Sequence, residues 1–219
     1  MSLASAALLG LGLGVKHALE ADHLAAVCTI VSRGGGAALA ARSGALWGAG
    51  HGAIIVLAGS ALVLSGAQVP ASVATVLDIA VAVMLVGLGV SAIAGRSAPV
   101  HGHEHGVGEA HPPHAPGTRA PTRPLLVGCV HGASGTAALT LLVATTIPAR
   151  ADGLAFIALF GIASILGMAV AAALVALPLG RISRTGPSLA RAVRAASGLA
   201  SVAAGLMVAW TTLFAASAS

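Results

Sequence analysis

An all-α, polytopic membrane helix bundle of six transmembrane helices is the fold class this sequence predicts, and three observations carry it. Of its 219 residues, 57% are hydrophobic and only 8% are charged, whereas a soluble domain is about one quarter charged. Six largely apolar stretches, at about 3–32, 40–65, 72–95, 124–147, 153–178 and 190–214, reach the roughly 20 residues that cross a hydrocarbon core. Within lipid such stretches must satisfy their own backbone hydrogen bonds, which makes them helices. Finally, the arginines alternate. Arg33, Arg42, Arg96, Arg119, Arg123, Arg181, Arg184, Arg191 and Arg194 follow spans one, three and five, and Arg150 stands alone on the other side. Because cytoplasmic loops retain Lys and Arg, this puts both termini outside and the third loop inside, in a cell inner membrane.

The first stretch opens with "MSLASAALLGLGLGV", apolar from the start and without a basic residue ahead of it. It reads as the beginning of span one and not as a secretory leader. It is also longer than a crossing requires, so it must tilt, break or protrude. Spans two and three complete a first half, residues 1–96. Residues 97–123, "SAPVHGHEHGVGEAHPPHAPGTRAPTR", are rich in Pro, Gly and His with almost nothing to build a core, and read as a flexible cytoplasmic linker. Residues 124–219 form a second half of three spans. An odd number of spans per half makes any structural repeat an inverted one. A short echo supports this: Gly14 precedes His17 by three residues, and Gly128 precedes His131 by three.

The net charge of +5 comes with no aromatic or basic nucleic-acid motif, and membrane topology accounts for the excess. The residue patterns point to no enzyme and to no resident cofactor.

Chemistry concentrates in "VKHALEADHLAAV", residues 15–27, where Lys16, His17, Glu20, Asp22 and His23 crowd into two turns. A charged group at bilayer depth costs about 2.5–3.5 kcal/mol on insertion scales, so the cluster needs a compensating partner. A cation supplies one, and mixed imidazole and carboxylate donors suit divalent nickel, cobalt or zinc. On a regular helix Lys16, His17, Glu20 and His23 share a face and Asp22 points away. Asp22 then either hydrogen-bonds a ligand histidine of another helix or joins the site through local unwinding.

The spacing His17-x4-Asp22-His23 resembles the signature of the nickel/cobalt permeases, and "GCVHGASGTAAL", residues 128–139, resembles the second His-Gly motif of their shorter, six-span, urease-accessory-like branch. The resemblance implies transport of Ni²⁺ or Co²⁺, with His17, Asp22 and His23 as signature residues. The further acidic motifs of the larger, eight-span permeases are absent.

Other candidates join this set. His51 sits centrally in span two, beside a flank of Gly44, Gly48 and Gly52, and either completes the metal site or bonds a neighbouring carbonyl. His131, beside Gly128, Gly132 and Thr136 with Ser134 near, is a candidate ligand from the second half. Asp78 is an interfacial carboxylate or an attractor of cations. His101, His103, His105, His111 and His114 form an auxiliary loop able to collect an ion without a fixed fold. A metal entering a negative interior gains about 2.3 kcal/mol per charge per 100 mV, which favours uptake over efflux.

The rival reading is a membrane thiol redox carrier using Cys28 and Cys129, one in the first span of each half. A third is a metal sensor or accessory subunit working through the His-rich loop. Expected partners are the lipid bilayer, the metal ion and, beyond these, a second copy of the chain or an intracellular metal acceptor.

Overall fold

A computed structural model describes residues 2–32, 36–95, 122–133 and 143–217. Its helices are α1 (Leu3–Ala18), α2 (Ala21–Val31), α3 (Ala37–Ser65), α4 (Ala71–Ile93), α5 (Thr122–Gly132), α6 (Arg150–Thr185) and α7 (Pro187–Ser217), and the described residues contain no β-strand. Helices α3, α4, α6 and α7 are each long and apolar enough to cross a membrane, and α1 with α2 makes a fifth candidate bent by 53°.

The distribution of side chains is that of a protein dissolved in lipid. Leu8, Leu57, Leu166, Leu199 and Met207 are more than half exposed, while His17, His23, His51, His131, Thr29, Ser164 and Ser201 are buried. In water such an apolar exterior would aggregate; in a bilayer it is the solvated face. The chain is thus an all-helical integral membrane protein.

Since lipid tails are as apolar as leucine, helices associate through close packing and interhelical hydrogen bonds. Small residues set the neighbours and their directions. Gly10 lies on the Phe156 carbonyl, Gly14 on that of Phe160, and Gly167 on the Ala18 methyl, so α1 and α6 run parallel. Gly128 lies on the Trp47 carbonyl and Gly132 on that of His51, so α5 and α3 also run parallel. Between α3 and α6 the order reverses, Gly44 facing Met168, Gly48 facing Ile165 and Gly52 facing Gly161. Helices α4 and α7 are likewise antiparallel, with Gly89 at Gly198 and Ala82 at Gly205. Hydroxyls tie the same seams: Ser201 Oγ donates to the Leu85 carbonyl at 2.8 Å, Ser164 Oγ to Gly14 at 3.3 Å, and Thr29 Oγ1 to Ser197 at 3.2 Å.

Compared with the sequence reading, α3, α4, α6 and α7 match spans two, three, five and six to within a few residues, except that α6 runs on past Pro178 to Thr185. Span one is broken. Of span four, the structure describes α5 and a helical turn at residues 143–146. Residues 134–142, with Ser134 and Thr136, and residues 96–121, with the five loop histidines, lie outside the described residues.

Candidate metal centre

The break in span one contains neither glycine nor proline. Leu19 and Glu20 donate their N–H groups to the carbonyls of Lys16 and His17 at 3.0 and 3.1 Å, closing α1 with a tight last turn. Glu20 is extended, with φ −65° and ψ 152°, and its carbonyl accepts from Leu24 at 2.9 Å to begin α2. Electrostatics favour a break at this point. Glu20 and Asp22 sit at the amino end of α2 and Lys16 and His17 in the last turn of α1, each beside a helix end of opposite partial charge. Discontinuous helices of this kind are tolerated in membranes where they are buried in protein or line a cavity.

The bend redirects Asp22. An unbroken helix points it away from the histidines, whereas here its Oδ1 accepts from His23 Nδ1 at 3.1 Å and its Oδ2 from His131 Nε2 of α5 at 3.0 Å. The chain unwinds at Glu20, and Asp22 accepts from a histidine of another helix.

Glu20 plays the same part for His17, accepting from Nδ1 at 2.9 Å. The far nitrogen of that ring, Nε2, lies 2.9 Å from Nε2 of His51. Ionised carboxylates only accept, so they fix the protons on His17 Nδ1, His23 Nδ1 and His131 Nε2. The opposite nitrogens are left with lone pairs. His23 Nε2, His51 Nδ1 and His131 Nδ1 are buried and have no hydrogen-bond partner among the described residues. Orphaned polar atoms in such number are rare in a folded interior.

The rings themselves are crowded. Centroids of His17 and His23 are 4.4 Å apart, those of His23 and His131 4.4 Å, and those of His17 and His51 5.0 Å. One donor atom each from His17, His23 and His51 fall within 4.8 Å of one another, as do donors from Asp22, His23 and His131. Five of the six sequence-predicted site residues thus enter a metal-ready group, and the sixth, Glu20, holds one of them.

Glycine makes this convergence possible. A Cβ at Gly128 would fall on the Trp47 carbonyl and one at Gly132 on the His51 carbonyl, so α5 meets α3 backbone to backbone and brings His131 beside His51. Gly50 completes the seam against the Leu125 carbonyl.

Three features differ from the sequence reading. Lys16, placed on the same face as His17, has a side chain 73% exposed that lies 3.5 Å from Glu20. The flank of Gly44, Gly48 and Gly52 packs on α6, and the glycine facing α5 is Gly50. Trp47, fully buried with its ring 5.5 Å from His23 and 5.4 Å from His131, and Phe160, 5.2 Å from His17, wall the cluster. The signal for Trp47 was its position one turn before His51, which puts both on one helix face. Asp78 of α4 accepts from Thr212 of α7 at 3.5 Å. Cys28 and Cys129 are free thiols on α2 and α5.

Among known proteins, no family model and no solved structure matches the chain. It is 32% identical over 181 residues to the urease accessory protein UreH of Bacillus sp. (strain TB-90), a match covering 81% of this chain and 79% of that relative. At that identity and coverage, the chain belongs to the family of the urease accessory protein UreH.

Proposed function

We propose that the chain transports a divalent transition-metal ion, nickel or cobalt, across the membrane and into the cell. The observation that supports this most is the cluster of four buried imidazoles and two carboxylates at a helix break within an otherwise apolar bundle. His17 and His23 would hold the ion through the nitrogens their carboxylate partners leave free, joined by His51, with Glu20 and Asp22 orienting the first two rings and matching the positive charge. Imidazole donors suit Ni²⁺, Co²⁺ or Zn²⁺ and disfavour the hard ions Mg²⁺ and Ca²⁺. The aromatic walls of Trp47 and Phe160 keep the donors dry.

The helix directions favour six spans in two inverted halves. Exchanging α1 with α5, α3 with α6 and α4 with α7 turns the parallel α1–α6 pair into the parallel α5–α3 pair, and maps the antiparallel pairs α3–α6 and α4–α7 onto themselves. That is the symmetry of a transporter whose site lies between repeats and is exposed alternately to each side. The arginine distribution then orients both termini outward. The loop of His101, His103, His105, His111 and His114 would collect the ion on the inner side, for release to an acceptor. An inside-negative potential of 100 mV contributes about 4.6 kcal/mol to the entry of a doubly charged ion, so uptake needs no further coupling.

Radioactive nickel and cobalt flux into proteoliposomes holding the purified protein tests the reading. The expected result is saturable uptake that rises with an inside-negative potential. Replacing both Cys28 and Cys129 by serine should leave it unchanged, which separates it from thiol redox transfer. Deleting residues 101–114 should raise the metal concentration needed for half-maximal uptake without abolishing it. Flux equal to empty vesicles contradicts the reading.

A further inference from the structure

His23 belongs to both donor groups. Its Nδ1 faces Asp22 at 3.1 Å, its Nε2 is buried without a partner among the described residues, and its ring lies equally close, at 4.4 Å, to those of His17 and His131. We infer that the cluster is two stations on one ion path rather than one site, the first made by His17, His23 and His51, the second by Asp22, His23 and His131, with the His23 ring common to both. The inference rests on the transport reading above and specifies how the ion moves through that site.

Chemistry separates the stations. The first offers only neutral imidazoles; the second includes a carboxylate, and an ion that enters it displaces the protons held between Asp22 and the nitrogens His23 Nδ1 and His131 Nε2, which leave to solvent, while the His23 side chain serves both donor sets. Both cannot be filled together, because the donor atoms of each set lie within 4.8 Å of one another and the sets share His23, so two doubly charged ions would sit close and repel strongly with only Asp22 and Glu20 to offset them. Their placement also suits transfer. His17 is carried by α1 and His51 by α3, both packed on α6, and His131 by α5, which is locked to α3 through Gly128 and Gly132. Helix α2, joined to α1 through the extended Glu20, carries His23 and Asp22 between them. A small movement of α2 relative to α3 and α5 is enough to favour one donor set over the other. His131 Nδ1 is likewise buried and unpartnered among the described residues.

Cobalt serves as the probe, since its visible absorption reports the donor set. Equilibrium dialysis of the purified protein should give one tightly bound cobalt per chain. His131→Ala should still bind one cobalt, with a spectrum of imidazole donors, yet carry it into proteoliposomes about tenfold more slowly or worse. His51→Ala should bind one cobalt with a spectrum that includes a carboxylate donor, and also lose flux. Two cobalt ions bound at once to the parent overturn the inference, as does parental flux in His131→Ala or loss of cobalt binding in step with its loss of flux. Should His131→Ala not fold, His131→Gln and the stoichiometry of the parent decide. A parent that binds cobalt but moves none sinks the transport reading instead, so the two failures are distinguishable.

Discussion

His131 donates its Nε2–H to Oδ2 of Asp22 at 3.0 Å, joining helices 109 residues apart in sequence through a carboxylate that also holds His23. One side chain thereby fixes the proton position on two imidazoles and leaves the opposite nitrogen of each free for a metal.

That arrangement makes Asp22→Asn more than a loss of charge. The amide presents an acceptor oxygen and a donor NH₂, so one of the two rings must turn a lone pair towards Asn and carry its proton on the nitrogen meant for the ion. Metal affinity should fall by about 10- to 100-fold with the fold intact. Isothermal titration with nickel, beside a circular dichroism spectrum, checks this; unchanged affinity would show that the carboxylate does not set the tautomers.

Glu20 and Lys16 should respond differently although they touch. Glu20→Gln removes the acceptor that orients the buried His17 ring and should weaken nickel binding by about tenfold. Lys16 is 73% exposed on its side chain and 3.5 Å from Glu20. Such a pair contributes about 0–1 kcal/mol, so Lys16→Ala should stay within about a factor of five of the parent. The ranking of the two affinities is the test.

The glycine seam predicts a stability effect set by position. Gly128→Ala or Gly132→Ala pushes a methyl into the Trp47 or His51 carbonyl of α3, and neither backbone can retreat as a flexible side chain would. Overpacking of this kind costs about 1–3 kcal/mol, more than the roughly 0.6 kcal/mol of an average interhelical hydrogen bond in a membrane. Gly12→Ala and Gly87→Ala meet nothing within 4 Å and should be neutral or slightly stabilising. Thermal unfolding in detergent distinguishes the pairs, and equal melting temperatures would contradict the helix seam described above.

Acidification should release the ion. Ligand imidazoles must be neutral, and a cation between His17 Nε2 and His51 Nε2 must displace the proton that joins them at 2.9 Å. Protons and metal therefore compete, and affinity falls as pH falls. Cobalt binding measured as the pH is lowered should weaken, with protons released on binding at the acid end, where the imidazoles begin to be protonated. A flat profile would point away from imidazole ligands.

Much of this was legible before any coordinates. The apolar stretches marked α3, α4, α6 and α7 because a membrane helix must be long and continuous, and the polar cluster stood out against them. His17, Asp22, His23, His51 and His131 were all candidates, from residue type and depth and, for His17, Asp22 and His23, from the resemblance to the permease signature. What the sequence hid was direction. The break at Leu19–Glu20 carries no glycine or proline to announce it, so periodicity put Asp22 on the wrong face and Lys16 on the same one as His17. Whether Gly50 or Gly48 meets α5 depends on which helix is the neighbour, and a one-dimensional pattern does not contain that. Trp47 was passed over because an aromatic residue in an apolar run reads as packing until the rings beside it are known.

His23 is common to both groups of donors proposed to receive the transition-metal ion. Radioactive nickel uptake into proteoliposomes, compared between the parent and His23→Ala at equal protein incorporation, tests that role most directly. Flux near that of empty vesicles is expected for His23→Ala. Uptake at the parental rate and affinity would contradict it.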